Sequence, residues 1–510
     1  MAMKEMSVEE VQRRARTGPL YLLGRRGVAA AIGFISTVTI ARLLSPRDYG
    51  LAAMSIVILA FVQVFRDFGL TNASLRKGHI DQAEVSFLFW FNAAATTVMA
   101  LLIAAASPLI ADFYREPAVR DIVLVSLIGF VIGGWSLQHN ALMRRDLRFG
   151  MVAAVETVSL LVGFLVGLTV AIIRHDYWAI VASGLAQSFT SSAINLWATK
   201  WRPDRPRVVP EARDLLKFGA NATLYSTLNF ASRYISVIII GRDLGTVSLG
   251  HFNRAYNLYM LPQTNVLRPI QQATLPVMAR LRPHPEHYRT AYLGLVERLC
   301  TAMVPASVVL CFAGVPLVHL LLGDKWTSAG QVLSALAPGL AVYGVISPIS
   351  DLLVSQNRSG ELRTTGIYDF IARLTGTLVG AQFGLVGAAL GFTLGTVAIL
   401  PNRVRIAGRS GPITMADQWR ALLPSLPLGL GTAVGCAAGY FGAAYTVQGD
   451  LVPLVLIGTG GALGALLAAA VVPASRRALK SLVLTMAGRY QVGAKSAKAT
   501  AEPAGETPAE

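Results

Sequence analysis

The chain has 510 residues, of which 54% are hydrophobic and only 14% are charged. Soluble domains carry about 25% charged residues, so this composition argues against an ordinary soluble protein and favours one surrounded by lipid. A net charge of +17 would indicate nucleic-acid binding in a soluble protein, but these positive residues flank apolar stretches, as in membrane topology. Three isolated cysteines without metal-binding spacing are interpreted as small core residues.

Fourteen long apolar stretches follow one another along the chain. A hydrocarbon core about 30 Å thick needs roughly 20 apolar helical residues to cross it, so we predict an all-α polytopic membrane protein with about 14 transmembrane helices. These helices are expected at 20–44, 48–70, 86–110, 118–140, 150–173, 176–199, 214–241, 247–279, 287–322, 328–354, 359–380, 385–407, 418–443 and 450–473. The stretches 247–279 and 287–322 exceed one crossing, and their internal prolines predict kinks or projection from the membrane.

Lysine and arginine are unevenly distributed between the two alternating sets of gaps. One set, which includes both termini and the adjacent helix ends, holds 34 of the 45 positive residues, whereas the other set holds 7. By the positive-inside rule the rich side is the cytoplasm, so both termini are expected there, in the bacterial cytoplasmic (inner) membrane. The gaps on the other side are short, and no extracytoplasmic domain is expected.

The sequence repeats itself at an offset of 200 residues. Six of the sixteen positions in 35–50 are identical in 235–250 without a gap, and chance similarity between apolar helices is the alternative interpretation. The offset contains six helices, so both copies cross the membrane in the same direction, as in transporters built from parallel repeats around a central cavity. The expected domains are an N-terminal lobe 1–199, a basic linker 200–213, a C-terminal lobe 214–407, an extra helix pair 408–473, and a basic surface segment with a disordered tail 474–510.

The eighth predicted helix, 247–279, places most of its strongly polar side chains on one side. At 100° per residue, about one third of the circumference holds these groups, and Gln263 is the exception. Polar side chains that face lipid are costly, so this face must meet protein or water. Hydrogen bonding that merely holds the helices together is the simpler interpretation, but two arginines on the face favour a hydrated cavity.

The candidate substrate-binding residues come from this face and from the preceding helix. They are Arg233, Asn253, Arg254, Asn257, Asn265, Arg268 and Gln272. Arginine binds phosphate through two parallel hydrogen bonds and keeps its charge, so the expected ligand is an anionic lipid head group, and pairing with an internal acid is the alternative.

Two acids are candidates for coupling transport to an ion gradient, because a buried carboxylate can carry a proton. They are Asp67 and Glu156, and Glu156 has no evident partner nearby in the sequence. The sequence contains no nucleotide-binding, zinc or nucleophile-elbow motif, so we expect neither catalytic residues nor a cofactor or metal.

Five segments, taken in order, carry a family resemblance. They are IARLLSPRDYG at 40–50, FRDFGL at 65–70, FWFN at 89–92, ALMRRDLRF at 141–149 and KFG at 217–219. Together they resemble bacterial polysaccharide flippases of the Wzx type, in the multidrug/oligosaccharidyl-lipid/polysaccharide exporter superfamily. The similarity extends from about residue 20 to 410, and it implies two six-helix lobes with an extra helix pair.

The resemblance also implies a function, which is the transfer of a polyprenyl-pyrophosphate-linked oligosaccharide from the inner to the outer leaflet for surface or exopolysaccharide biosynthesis. The expected partners are this lipid, the bilayer, and a polysaccharide polymerase with export machinery, and not nucleic acid. A multidrug or cation exporter of the same superfamily is the first alternative, although it would favour acids over arginines. A membrane polymerase or glycosyltransferase is the second, and the short outer gaps argue against it. A structural scaffold explains neither the repeat nor the polar face.

Overall fold

The computed structural model describes residues 27–66, 81–205, 227, 230–444 and 449–486, and these residues form helices without β-strands. The helices are α1 Gly27–Leu43, α2 Pro46–Arg66, α3 Gln82–Tyr114, α4 Ala118–Arg145, α5 Phe149–Arg174, α6 Trp178–Thr199, α7 230–243, α8 Gly245–Pro262, α9 Arg268–Leu281, α10 Pro285–Leu322, α11 Thr327–Leu336, α12 Pro338–Ser355, α13 Ser359–Ala381, α14 Gly384–Ala398, α15 Leu400–Ala407, α16 Met415–Leu422, α17 Ser425–Ala444, α18 Leu451–Val471 and α19 Pro473–Met486. Every predicted apolar stretch contains helix in the described residues, which confirms the all-α fold class.

Within these described residues, nine helical segments are long and apolar enough to cross a membrane, which establishes a multi-pass membrane protein. Two of the nine combine consecutive short helices, at Gly384–Ala407 and Met415–Ala443. Other helices are more polar: α13 carries four charged side chains, and α6 carries serines, threonines, a glutamine and an asparagine. The total of about 14 crossings therefore remains a prediction.

The described residues up to Tyr256, together with 318–332 and 366–395, form one compact unit, called the first unit here. Small residues let its helices approach closely. A Cβ on Gly163 of α5 would lie 2.9 Å from the Ser183 carbonyl oxygen of α6, and one on Gly167 would lie 2.8 Å from the Ser183 side chain. Close approach of this kind replaces the hydrophobic driving force that helices lack in lipid.

Residues related by the sequence repeat contact each other where α2 and α8 cross in the first unit. A Cβ on Gly50 would lie 1.8 Å from the Thr246 carbonyl oxygen, and a Cβ on Gly250 would lie 1.8 Å from the Pro46 carbonyl oxygen. Pro46 and Thr246, like Gly50 and Gly250, are separated by the repeat offset of 200. Reciprocal contacts of this kind are expected between repeat copies related by a local two-fold axis, and only glycine fits at both positions.

Two repeat-related arginines make reciprocal contacts beside this crossing. Arg42 donates hydrogen bonds to the carbonyl oxygens of Leu321 (2.9 Å) and Leu320 (2.5 Å), in the last turn of α10. Arg242 donates to the carbonyl oxygen of Phe113, in the last turn of α3. Each guanidinium therefore neutralises the negative end of a helix that belongs to the other repeat.

The loop after α10 stabilises the end of α1, near Arg42, in the first unit. Lys325 donates to the Arg42 carbonyl oxygen at 2.8 Å, and the buried Trp326 indole donates to the Ala41 carbonyl oxygen at 3.0 Å. Burial of the Lys325 ammonium group lowers its pKa, and the nearby Asp48 carboxylate opposes that shift. The end of α1 is thus held by two hydrogen-bond donors from a loop that is distant in the chain.

The remaining described residues, 257–317, 333–365 and 396–486, form the second unit. Its α17 and α18 pack glycine against glycine: a Cβ on Gly435 would lie 1.9 Å from the Gly460 carbonyl oxygen. Buried Cys436 and Ile457 of this pair pack against Ala313 of α10. Large apolar side chains on the opposite faces, including Val434 and Val471, are exposed, as expected of helices surrounded by lipid.

Candidate substrate-binding helix

The predicted eighth helix is interrupted by a π turn between Pro262 and Pro269. Residues Gln263–Leu267 form this turn, and the Arg268 amide donates to the Gln263 carbonyl oxygen five residues earlier. Proline lacks an amide hydrogen, and Pro262 and Pro269 flank the turn, which confirms the expectation of a proline-induced irregularity. A π turn takes up one extra residue and rotates the side chains that follow by about 100°. The angles expected from a uniform α-helix therefore do not hold beyond Pro262.

In the first unit, Arg254 lies against aromatic and amide groups. Its guanidinium carbon lies 4.0 Å from the centre of the Tyr49 ring, and Nη2 donates to Oδ1 of Asn253 at 3.0 Å. Nε of Arg254 is buried without a hydrogen-bond partner among the described residues. Tyr49 is itself buried and packs edge-on against Trp326, with ring centres 5.4 Å apart. Among the described residues, a cation–π contact and not a carboxylate thus holds this charge.

In the second unit, three of the predicted site residues are exposed: Asn257, Asn265 and Arg268. Gln271 is half-buried, and its Nε2 donates to Oδ2 of Asp351 on α12 at 2.6 Å. The backbone of Gln272 is helical, but its side chain lies outside the described part. Among the described side chains, the exposed predicted site residues therefore offer one guanidinium and two amides, which can all donate hydrogen bonds to a ligand.

The other candidates from the sequence lie elsewhere. Arg233 is exposed on α7 of the first unit. Glu156 is exposed on α5 and forms an ion pair with Arg144 of α4 at 3.3 Å. It therefore has a charged partner, although none was evident nearby in the sequence. Asp67 lies outside the described residues.

Two contacts bring in residues that the site prediction omitted. Tyr49 lies far from Arg254 in the chain, and no local pattern links the two residues. Asp351 could have been identified from the sequence, because an acid inside an apolar helix is unusual and often functional. Its contact with Gln271 makes Asp351 part of the candidate site in the second unit.

Comparison with known proteins decides the family. A family model described as "Polysaccharide biosynthesis protein" matches residues 39–331. The chain belongs to this family. It is 25% identical over 374 residues to the lipopolysaccharide biosynthesis protein WzxC of Escherichia coli (strain K12), covering 72% of this chain and 75% of WzxC. It is 24% identical over 390 residues to the succinoglycan biosynthesis transport protein ExoT of Rhizobium meliloti (strain 1021), covering 75% of this chain and 77% of ExoT. The resemblance seen in the sequence is confirmed.

The fold also matches a solved transporter structure. The lipid II flippase MurJ, in its inward closed conformation, superimposes with a TM-score of 0.70 at 13% sequence identity. The match covers 89% of this chain and 98% of MurJ. At this identity the similarity establishes the fold alone: the helices of this chain are arranged as in MurJ.

Proposed function

We propose that this protein is a flippase for a polyprenyl-pyrophosphate-linked oligosaccharide, used in surface or exopolysaccharide biosynthesis, and not an enzyme. Membership of the polysaccharide biosynthesis family supports the pathway, and the names of WzxC and ExoT support a transport role. The observation that carries the proposal is the exposed Arg268 at the start of α9, preceded by the exposed amides of Asn257 in α8 and Asn265 in the π turn, within a membrane protein.

The chemistry of the head group explains why such a segment is needed. A diphosphate and sugar hydroxyls lose their hydration in hydrocarbon, and each unpaired polar group costs several kcal/mol. An arginine fork supplies two charge-assisted hydrogen bonds to a phosphate, and amides supply further donors and acceptors. The polar segment of this helix thus replaces water contacts, while the apolar tail of the lipid remains in the bilayer.

Alternating access completes the proposed mechanism. Repeat-related residues meet at the crossing of α2 and α8, and Arg42 and Arg242 bond to helix ends beside it. We infer that these contacts form the closed end of the pathway and must separate when that end opens. By the distribution of positive charge, this end faces the outside of the cytoplasmic membrane and both termini face the cytoplasm.

The expected partners are the lipid-linked oligosaccharide and the enzymes that supply and consume it, including a polysaccharide polymerase and export machinery. A multidrug or cation exporter is the second candidate function, because Asp351 places a carboxylate beside Gln271 in the candidate site. Such an exporter would expel a lipophilic cationic dye from cells, whereas the flippase would not.

The direct test is leaflet exchange in liposomes. Purified protein is reconstituted with a labelled polyprenyl-pyrophosphate oligosaccharide, and accessibility of the label to an outside enzyme is followed over time. The flippase exposes the label faster than empty liposomes do, and an Arg268→Gln variant exposes it more slowly. Equal rates with and without wild-type protein would refute the proposal.

A further inference from the structure

A cavity of about 450 Å³ lies inside the first unit, between α2, α4 and α6. Its volume falls within the range of small-molecule sites, about 300–1,000 Å³, and far exceeds the space of one water molecule. Its polar lining consists of the side chains of Ser55, Gln63, Ser126, Ser183, Gln187 and Ser188. The arginines of the candidate helix are absent from this lining, so the cavity is a separate feature of the first unit.

The lining specifies the class of ligand. Among the described residues no charged side chain lines the cavity, so the lining offers nothing to neutralise a diphosphate or an inorganic ion. A hydrocarbon chain would offer no hydrogen-bond partner to the glutamine amides of this lining, which is costly in a membrane protein. Ile56, Phe130 and Leu185 supply apolar walls between these polar groups. Uncharged hydrogen-bonding groups alternating with apolar surface match a sugar ring, which has hydroxyl edges and C–H faces.

The amides in the lining are available to a ligand. Neither Gln63 nor Gln187 forms a hydrogen bond with another described residue, whereas Ser55 already donates to the Leu51 carbonyl oxygen at 3.2 Å. Each of these amides can donate two hydrogen bonds and accept others, which suits vicinal hydroxyl groups. The cavity therefore holds two adaptable contacts on different helices, α2 and α6.

We propose that this cavity binds an uncharged sugar residue of the transported head group. The proposal rests on the flippase function and extends it, because it separates recognition of the saccharide from recognition of the diphosphate. The sugar residues bound in the first unit would select which lipid-linked oligosaccharide is carried, and the arginines would bind any lipid diphosphate.

Gly184 offers a way to fill the cavity without disturbing the backbone. It lines the cavity, and a Cβ at this position would meet no atom within 4 Å. A Gly184→Leu side chain therefore occupies space intended for the ligand. Gly458 of α18 also has nothing within 4 Å of its Cβ and does not line the cavity, so Gly458→Leu is the matched control.

The experiment measures initial transport rates against substrate concentration for two lipids, the polyprenyl-pyrophosphate oligosaccharide and polyprenyl pyrophosphate without sugar. We expect Gly184→Leu to raise the KM for the oligosaccharide lipid about tenfold, as the loss of two neutral hydrogen bonds would, and to leave the sugar-free lipid unaffected. Gln187→Leu should shift the KM in the same direction by a smaller factor. Gly458→Leu should match the wild type for both lipids.

Equal losses for both lipids, or no change for either, would overturn the sugar site. Binding of the free oligosaccharide to solubilised protein, followed by calorimetry, provides a readout that does not require transport. If the wild type binds the free oligosaccharide and Gly184→Leu does not, the sugar site stands even where transport fails, and only the flippase function is refuted. Equal binding by wild type and variant would refute the site while leaving the flippase function untouched.

Discussion

Arg254 and Arg268 belong to the same predicted helix and carry the same charge, yet they have different surroundings. Arg254 in the first unit stacks on the buried Tyr49 ring and bonds to Asn253. Arg268 in the second unit is exposed and follows a π turn. One guanidinium is committed to internal packing, and the other is accessible to a ligand. The sequence treats both as equal candidates, so the difference shows that a polar pattern identifies a helix but does not assign a role to each residue.

The largest expected effect tests whether close packing against α2 holds α8 in place in the first unit. A Leu at position 250 would push its Cβ into the Pro46 carbonyl oxygen, only 1.8 Å away. Overpacking of this kind costs about 3 kcal/mol or more, so Gly250→Leu should lower the melting temperature markedly or prevent recovery of folded protein. Gly366→Leu on α13, where a Cβ meets nothing within 4 Å, is the matched control. A Gly250→Leu protein as stable as this control would contradict the close crossing.

The next effect separates the two arginines. Arg268→Gln should reduce transport about a hundredfold, as the loss of a charge-assisted phosphate contact worth about 3 kcal/mol predicts, without lowering the melting temperature. Arg254→Gln should lower both the transport rate and the melting temperature, since its guanidinium is part of the internal packing. Transport assays measure the rate of each variant, and thermal unfolding in detergent measures its melting temperature. Identical behaviour of the two variants would remove the distinction between them.

A smaller effect isolates the ring beneath Arg254. The cation–π contact contributes about 1 kcal/mol, so Tyr49→Leu should destabilise the protein by at least this amount. Tyr49→Phe keeps the aromatic face and should retain most of the stability. Thermal unfolding of the two variants side by side measures the difference, and equal losses would argue that the ring acts only through its size.

The smallest effect concerns Glu156, which the sequence proposed for ion coupling. Its ion pair with Arg144 is solvent-exposed, with 52% of the glutamate side-chain surface accessible, and such pairs contribute less than about 1 kcal/mol. Glu156→Gln should therefore change neither stability nor transport beyond experimental error. A loss of transport under an imposed ion gradient, with unaltered stability, would restore Glu156 as a coupling residue.

The sequence was sufficient to predict helices in the apolar stretches, because apolar runs of membrane length have few other structures available. The repeat aligned Gly50 with Gly250, but only the structure shows that both positions accept a neighbouring backbone. The sequence did not reveal the contacts of Arg254 with Tyr49 or of Gln271 with Asp351, because these partners come from distant segments. The π turn was foreseen only as a proline irregularity, and its rotation of later side chains depends on backbone geometry that no residue pattern encodes.

The central claim is that the exposed segment around Arg268 receives the lipid-linked head group, and photo-crosslinking tests it most directly. A photoreactive amino acid is placed at Asn265, and separately at Leu430, an exposed apolar position on α17. Membranes are then illuminated with radiolabelled polyprenyl-pyrophosphate oligosaccharide. We predict a crosslink at position 265 that excess unlabelled substrate abolishes, and only background at position 430. Equal labelling at both positions, or none at 265 in a protein that transports the lipid, would contradict this account.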